Sequence, residues 1–241
     1  MGTGIFITGT DTGVGKTAVT AGLTAAFRKK GINAAGFKPV QSGAIKTADG
    51  LVSPDASFYL KVAGNDSHPS GYGMYCLTQP LSPHLAAEMD GVDINPSAIK
   101  IRCMELLEKH DMLLVEGAGG ICAPLTRTGY TIADLALDLG LPLLVVARPA
   151  LGTINHTVLT VKYSQMRGLR VLGFVFNGTR RETEAMEKDN AAMIQELTGV
   201  PFLGSLPFIE GLDTEKGLPG ELPETAWACL RWKEIGGIDV L

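Results

Sequence analysis

Gly9-Thr10-Asp11-Thr12-Gly13-Val14-Gly15-Lys16-Thr17 decides the fold of this 241-residue chain. An apolar run, Gly4 to Thr10, leads into it. A segment with apolar positions at helical spacing, Thr17 to Lys30, leaves it and stops at Gly31. A strand, a glycine-rich turn and a helix in that order make a P-loop, in which backbone N–H groups face phosphates and the helix N-terminus adds about half a positive charge. Gly13, Val14, Gly15, Lys16, Thr17 and Ala18 are then the nucleotide contacts, with Lys16 reaching the β- and γ-phosphates and the Thr17 hydroxyl ligating magnesium. The spacing departs from the usual motif, because five residues separate Gly9 from Gly15 and Thr10 stands where a glycine is expected.

Outward from the loop, apolar runs alternate with helix-length segments. Strands are predicted at Gly4 to Thr10, Ala34 to Val40, Met112 to Glu116, Leu143 to Ala147, Val171 to Asn177 and Phe202 to Pro207. Helices are predicted from Thr17, from Ser53-Pro54-Asp55, from Ser82-Pro83-His84, at Pro96 to Lys109, Ile132 to Leu139, Ile154 to Arg167 and Thr183 to Leu197, and as a short segment from Glu224 to Lys233. Alternation of this kind gives an α/β fold, a P-loop NTPase-like open parallel or mostly parallel sheet with helices on both faces. Gly64 to Pro80 and Glu210 to Pro223 read as surface loops. Residues 1–241 suit a single P-loop α/β domain.

Composition narrows the function classes. Apolar residues are 45% and charged residues 19%, an ordinary globular balance. The formal charge is −4 and no basic run is present, so nucleic-acid binding is not expected. Met1-Gly2-Thr3-Gly4 runs directly into a strand, with no basic n-region and no bilayer-length apolar stretch, and the C-terminal Ile238-Asp239-Val240-Leu241 is no basic amphipathic helix. The expectation is a cytoplasmic protein without a membrane partner. Cys76, Cys103, Cys122 and Cys229 lack metal-ligand spacing and are expected as reduced, mostly buried thiols.

A metal-nucleotide needs an acid at the end of a buried strand, and Met112-Leu113-Leu114-Val115-Glu116 supplies one in Glu116. Asp55 is either a second ligand or simply a first-turn acid favoured by the helix dipole. Gly117-Ala118-Gly119-Gly120 either lets backbone approach a ligand or makes a tight turn. Lys38 closes the second strand, expected beside the first, and by itself could be a lysine snorkelling to solvent. Asn177-Gly178 is a turn dipeptide whose carboxamide also suits adenine.

Together with Lys38-Pro39-Val40-Gln41-Ser42-Gly43, Ser82-Pro83-His84, Val115 to Gly120 and Leu151-Gly152-Thr153-Ile154-Asn155-His156, the loop resembles the dethiobiotin synthetase family along most of the chain. Five residues between Gly9 and Gly15 belong to that family's pattern. The resemblance implies a homodimeric enzyme that takes 7,8-diaminopelargonic acid, CO2 and ATP to dethiobiotin, ADP and phosphate with Mg2+, through a carbamate and a carbamic-phosphoric anhydride. It implies Lys38 as catalytic lysine beside Lys16, and Thr12 and Ser42 as substrate contacts. Leu151, Gly152 and Asn155 are implied at a dimer interface that completes the substrate site. The implied metal ligands are Thr17, Asp55 and Glu116. Nucleotide contacts are implied at Gly117, Ala118, Gly119, Asn177, Gly178, Leu206, Pro207 and Phe208. Gly13 stands where members often carry an acid, and Ile121-Cys122-Ala123 departs from the aromatic and hydroxyl residues of some members. Two other classes compete: a partitioning-type switch ATPase, whose extra P-loop lysine is missing from Gly9 to Val14, and a non-catalytic nucleotide-binding module.

Overall fold

The computed structural model of the chain describes residues 2–48 and 50–237, so the C-terminal Ile238 to Leu241 segment lies outside the described residues. In chain order it comprises β1 (Thr3–Gly9), α1 (Lys16–Lys29), β2 (Ala34–Ser42), β3 (Ile45–Thr47), β4 (Gly50–Val52), α2 (Pro54–Val62) and β5 (Gly73–Leu77). There follow α3 (Pro83–Asp90), α4 (Pro96–Lys109), β6 (Met112–Gly120), α5 (Ile132–Leu139), β7 (Leu143–Ala147) and α6 (Thr153–Met166). The chain continues through β8 (Val171–Thr179), α7 (Glu184–Thr198), β9 (Phe202–Pro207), α8 (Leu222–Cys229) and α9 (Trp232–Gly236). Seven strands form one sheet in the order β5-β2-β6-β1-β7-β8-β9, and every neighbouring pair in it is parallel.

Side chains alternate across a strand, which is why both faces of this sheet are covered. Ile5 and Ile7 of β1, Leu114 of β6 and Val146 of β7 pack against Val19 and Phe27 of α1, Phe58 of α2, Ala226 of α8 and Trp232 of α9. Phe6, Leu113 and Val115 face the other way, onto Ala86 of α3, Ile99 of α4 and Ile132 of α5. Val145, Phe174 and Phe176 meet Val161 of α6 and Ile194 of α7. Each Val, Leu, Ile or Phe among them contributes about 1.5–3 kcal/mol on full burial, more than the fraction of a kcal/mol that separates ordinary helix propensities.

The structure differs from the sequence reading at five places. The Gly64 to Pro80 connection is not all loop: it holds a single 3-10 turn at Pro69–Gly71 and then β5, a seventh strand. A five-residue GMYCL edge strand has no alternating pattern of its own, and its extension comes from pairing with β2 between Lys38↔Gly73 and Ser42↔Leu77. A small antiparallel hairpin, β3–β4, is likewise short and largely exposed. The C-terminal helix is two pieces, α8 and α9, parted at Leu230, which bridges to Gly204, and it folds back so that Trp227 stacks on Trp232. Finally, β2 is not beside β1, because β6 lies between them. The thiols also divide differently, with Cys103 buried, Cys76 half-buried, and Cys122 and Cys229 exposed.

Helix caps hold the elements that carry the site. Ser53 accepts a hydrogen bond from Ala56 N at 3.1 Å at the start of α2 and donates to Gln41 Oε1 of β2 at 2.9 Å. Ser53→Ala removes a cap and leaves a buried amide oxygen unpaired, with an expected loss of about 1–3 kcal/mol, read as a lower urea midpoint at unchanged slope. Ser82 occupies the matching place before α3, yet its hydroxyl makes no cap bond.

Thr131 and Asp134 form a reciprocal capping box on α5, and Asp134 also binds Arg167 Nη2 at 2.5 Å. Partial burial opposes ionisation of Asp134, but the Thr131 hydrogen bonds and then Arg167 outweigh it and hold the carboxyl below its usual range. The ionised form is therefore the one favoured by folding. Its stabilisation is present above the unfolded value of about 3.9 and disappears as pH falls through the lower folded value. Asp134→Ala is expected to cost about 1 kcal/mol at neutral pH, with the gap to the parent closing below about pH 4 in denaturation titrations.

Candidate active site

The topology opens a gap at the carboxyl edge of the sheet. β2 pairs with β6 as far as Phe37↔Val115 and then continues along β5, so Lys38 and Glu116 are the first residues beyond the last pair. On the other side of β6, Glu116 still pairs with Ile7 of β1, whose end feeds the P-loop. Parting strands at a crossover point are where open α/β sheets bind ligands. β6 runs on through Gly120, with Gly9 opposite Gly120, so the glycine-rich stretch, read either as a close approach to a ligand or as a tight turn, ends a strand, with Gly119 at φ +70°.

Five of the residues singled out in the sequence meet here. Lys38 Nζ lies 2.8 Å from Asp55 Oδ2 and 2.6 Å from Glu116 Oε1, with the Gly117 carbonyl at 3.5 Å. Thr17 Oγ1, at the start of α1, donates to the same Glu116 oxygen at 3.2 Å. The Tyr59 hydroxyl donates to Glu116 Oε2. Lys16 Nζ donates to the Asp11 carbonyl across the P-loop at 3.0 Å. Lys16, Lys38 and Glu116 are all buried, so charge here is worth more than at the surface.

The two lysines differ in their surroundings. Burial, and then the nearby Lys38 ammonium, push Lys16 down to about 8. Burial also acts against a charged Lys38, but Asp55 and Glu116 outweigh it and hold that ammonium above the usual lysine value. Burial first, then the Glu116 and Asp55 charges, keep the Tyr59 hydroxyl well above its ordinary range, hence a proton donor.

The oxygens around Lys38 Nζ fit a hard divalent cation. Asp55 Oδ2 and Glu116 Oε1 already converge on one positive group, and the Thr17 hydroxyl bonds the same Glu116 oxygen. Among the described residues no cluster of three or more His, Cys, Asp or Glu exists. Two carboxylates and a hydroxyl suit magnesium, which completes its shell with phosphate and water.

Around this centre, Gly119 lies beside Thr12, whose hydroxyl is 3.7 Å from where a Gly119 Cβ would stand. Ser42 Oγ is buried with no hydrogen-bond partner among the described residues. Asn177, at the end of β8, donates from Nδ2 to the Val14 carbonyl at 3.1 Å and so abuts the P-loop. Leu206 is wholly buried in the core, whereas Phe208 is exposed and lies under the Arg180 guanidinium at 4.2 Å. Leu151, Gly152 and Asn155 open α6 after β7 and make no hydrogen bond to the lysine–carboxylate cluster; the Leu151 side chain is 99% exposed.

Three participants were not found in the sequence. Tyr59 sits four residues after Asp55, and that i, i+4 spacing was the available signal, masked by its apolar neighbours. Gln41 holds Ser53 and so the start of α2. Arg148, just past the carboxyl end of β7, reaches Asp11 Oδ2 at 3.0 Å and the Thr12 carbonyl at 3.1 Å, tying the outer rim of the P-loop.

The family described as an AAA domain matches residues 3–216. A protein described as ATP-dependent dethiobiotin synthetase BioD from Anoxybacillus flavithermus is 46% identical over 204 residues, 85% of this chain and 91% of that protein. One of the same description from Clostridium novyi is 38% identical over 219 residues, covering 90% of this chain and 92% of that protein. In fold, the chain is similar to the MinD cell-division ATPase of Pyrococcus furiosus, with a TM-score of 0.62, 18% identity, and 99% of this chain and 100% of that chain covered. The MinC:MinD complex of Aquifex aeolicus gives a TM-score of 0.62 at 15% identity, covering 99% and 98%. Identities at that level speak for the shared P-loop architecture alone.

Proposed function

The chain belongs to the family of ATP-dependent dethiobiotin synthetases, and from that membership we propose that it converts 7,8-diaminopelargonic acid and CO2 to dethiobiotin, using ATP and releasing ADP and phosphate. The observation on its own residues that carries this reading is the cluster of buried Lys38 and Glu116 with half-buried Asp55, beside Lys16. One substrate amine adds to CO2 and loses a proton, giving a carbamate. A carbamate oxygen then attacks the γ-phosphorus as the bond to ADP breaks. The second amine attacks the activated carbonyl, phosphate leaves, and the amine proton is lost as the ring closes.

Each stage brings anionic oxygens together, so fixed positive charge in a site shielded from water is the main requirement. Lys16 is assigned to the β- and γ-phosphates, with the backbone of Gly13, Val14, Gly15 and Ala18 around them. Lys38 is assigned to the carbamate and the transferred phosphoryl group. Ser42 and Thr12 orient the substrate, and the unpartnered Ser42 hydroxyl supports that role. Thr17, Asp55 and Glu116 would hold Mg2+, which when bound supplies charge neutralisation across the phosphates. Gly117, Ala118 and Gly119 let the backbone come close to the nucleotide.

For the base, Asn177 already uses Nδ2 on the P-loop, which leaves its Oδ1 to accept from an adenine amino group. Gly178, Pro207 and the exposed Phe208 ring flank that position, with buried Leu206 as support. A second copy of the chain would cover Leu151, Gly152 and Asn155, consistent with a leucine that is otherwise wholly exposed. We read residues 1–241 as one domain acting in the cytoplasm; no helix among the described residues is long and apolar enough to cross a membrane.

The test is to incubate the protein with ATP, magnesium, bicarbonate and the diamine, then follow ADP release and the cyclic urea by mass. Diamine-dependent ADP formation matched by urea is expected. ADP release at the same rate without diamine overturns the synthetase reading and favours a switch ATPase.

A further inference from the structure

Glu116 is a buried carboxylate whose two oxygens have different duties. Oε1 faces the Lys38 ammonium at 2.6 Å and the Thr17 hydroxyl at 3.2 Å, while Oε2 is taken by the Tyr59 hydroxyl. Tyr59 and Glu116 are each 1% exposed, so no bulk water competes for that bond. The ring is held as well: a Cβ added at Gly36 of β2 would fall 2.5 Å from Tyr59 Cδ2 and 2.7 Å from its Cγ, so the ring packs directly on a strand position that has no side chain. Tyr59 lies on α2 one turn after Asp55, on the same helix face. A single helix therefore supplies one carboxylate directly and orients the other through a hydroxyl.

The terminal torsion of a glutamate is broad and roughly two-fold, so nothing within the side chain selects which oxygen faces a cation or at what tilt. A donor fixed on one oxygen removes that freedom before the cation arrives. We propose that Tyr59 is a positioning residue for the metal-nucleotide: its hydroxyl sets the rotation of the Glu116 carboxylate so that Oε1 is presented beside Asp55 and Thr17. Tyr59 acts through Glu116 and touches neither substrate nor phosphate. The inference rests on the reading of Glu116 as a metal ligand given above.

Tyr59→Phe keeps the ring and deletes the hydroxyl. Outer partners of metal ligands usually matter by 10–100-fold, and the expected result here is an Mn2+ dissociation constant, measured by electron paramagnetic resonance with ADP present, raised about 10-fold. In turnover the defect should appear as a higher magnesium requirement, with kcat recovering at saturating magnesium. The Glu116→Gln protein provides the cross-check, since adding Tyr59→Phe to it should change Mn2+ affinity no further.

Unchanged Mn2+ binding in Glu116→Gln overturns the assignment of Glu116 as a ligand, and with it the premise. Weakened binding in Glu116→Gln with parental binding in Tyr59→Phe overturns the inference alone. A Tyr59→Phe protein that stays unfolded even with Mg2+ and ADP, or one that melts earlier with unaltered metal affinity, assigns the hydroxyl to the fold and overturns it too.

Discussion

Lys38→Met is expected to slow ring formation by about 10³-fold, with the loss in kcat and the KM for ATP little altered. Lys16 and the P-loop backbone remain for the triphosphate, whereas the charge proposed to meet the carbamate and the moving phosphoryl group is gone. A second consequence follows from the geometry. Lys38 Nζ is 2.8 and 2.6 Å from two carboxylates, and removing it leaves them facing each other in a poorly solvated site. Without divalent metal the variant should lose about 3 kcal/mol of stability, the usual scale for breaking one side of a buried pair. Added magnesium should restore much of that loss by replacing the missing charge. Urea denaturation with and without magnesium checks the second effect, and initial rates at saturating substrates check the first. A variant that retains a tenth or more of parental kcat removes Lys38 from the chemistry.

Gly15→Ala is expected to abolish useful ATP binding, and Gly13→Ala, two residues away, is not. Gly15 has φ +95°, and a Cβ there would lie 1.9 Å from Asn177 Nδ2 and 2.5 Å from its Cγ. The methyl group can be housed only by moving the loop that cradles phosphate or the carboxamide proposed to read the base. Displacements near 1 Å at such sites cost about 10²-fold, and the left-handed backbone adds about 1–2 kcal/mol for any L residue. Gly13 also has a positive φ, +71°, but nothing stands within 4 Å of its missing Cβ. Its substitution carries only the same backbone penalty of about 1–2 kcal/mol. Calorimetric titration with a non-hydrolysable ATP analogue separates the two. Equal losses at both positions would mean that backbone strain, and not the Asn177 contact, governs the loop.

How much of this was legible in the chain depends on the range of the interaction involved. The P-loop could be read because its parts are local: strand, turn glycines, Lys16, Thr17 and a helix with apolar positions at helical spacing follow one another without a gap. Glu116 could be read because four apolar residues in a row, Met112 to Val115, at a strand position imply burial, and an acid at their end has few other reasons to be there. The same locality explains the agreement over α4 and α5, whose bounds match the sequence reading at Pro96–Lys109 and Ile132–Leu139. β5 could not be read, since its five residues become a strand only against the edge of β2.

By itself, the sequence determined the fold class, the phosphate cradle and, through its motifs, the family. Those signals are encoded by neighbours along the chain or by residue types with few alternative uses. Only the tertiary structure decided that β6 separates β2 from β1, that the strands part at Lys38, and that Lys38, Asp55, Glu116, Thr17 and Tyr59 form one network around the buried Lys38 and Glu116. These residues span positions 17 to 116, and no local periodicity records which of them will meet. Long-range pairing is set by the whole packing of sheet and helices. The role of Tyr59 came into view only there: at helical spacing a buried aromatic reads as core, and its hydroxyl acquires a purpose from the carboxylate that the sheet brings to it.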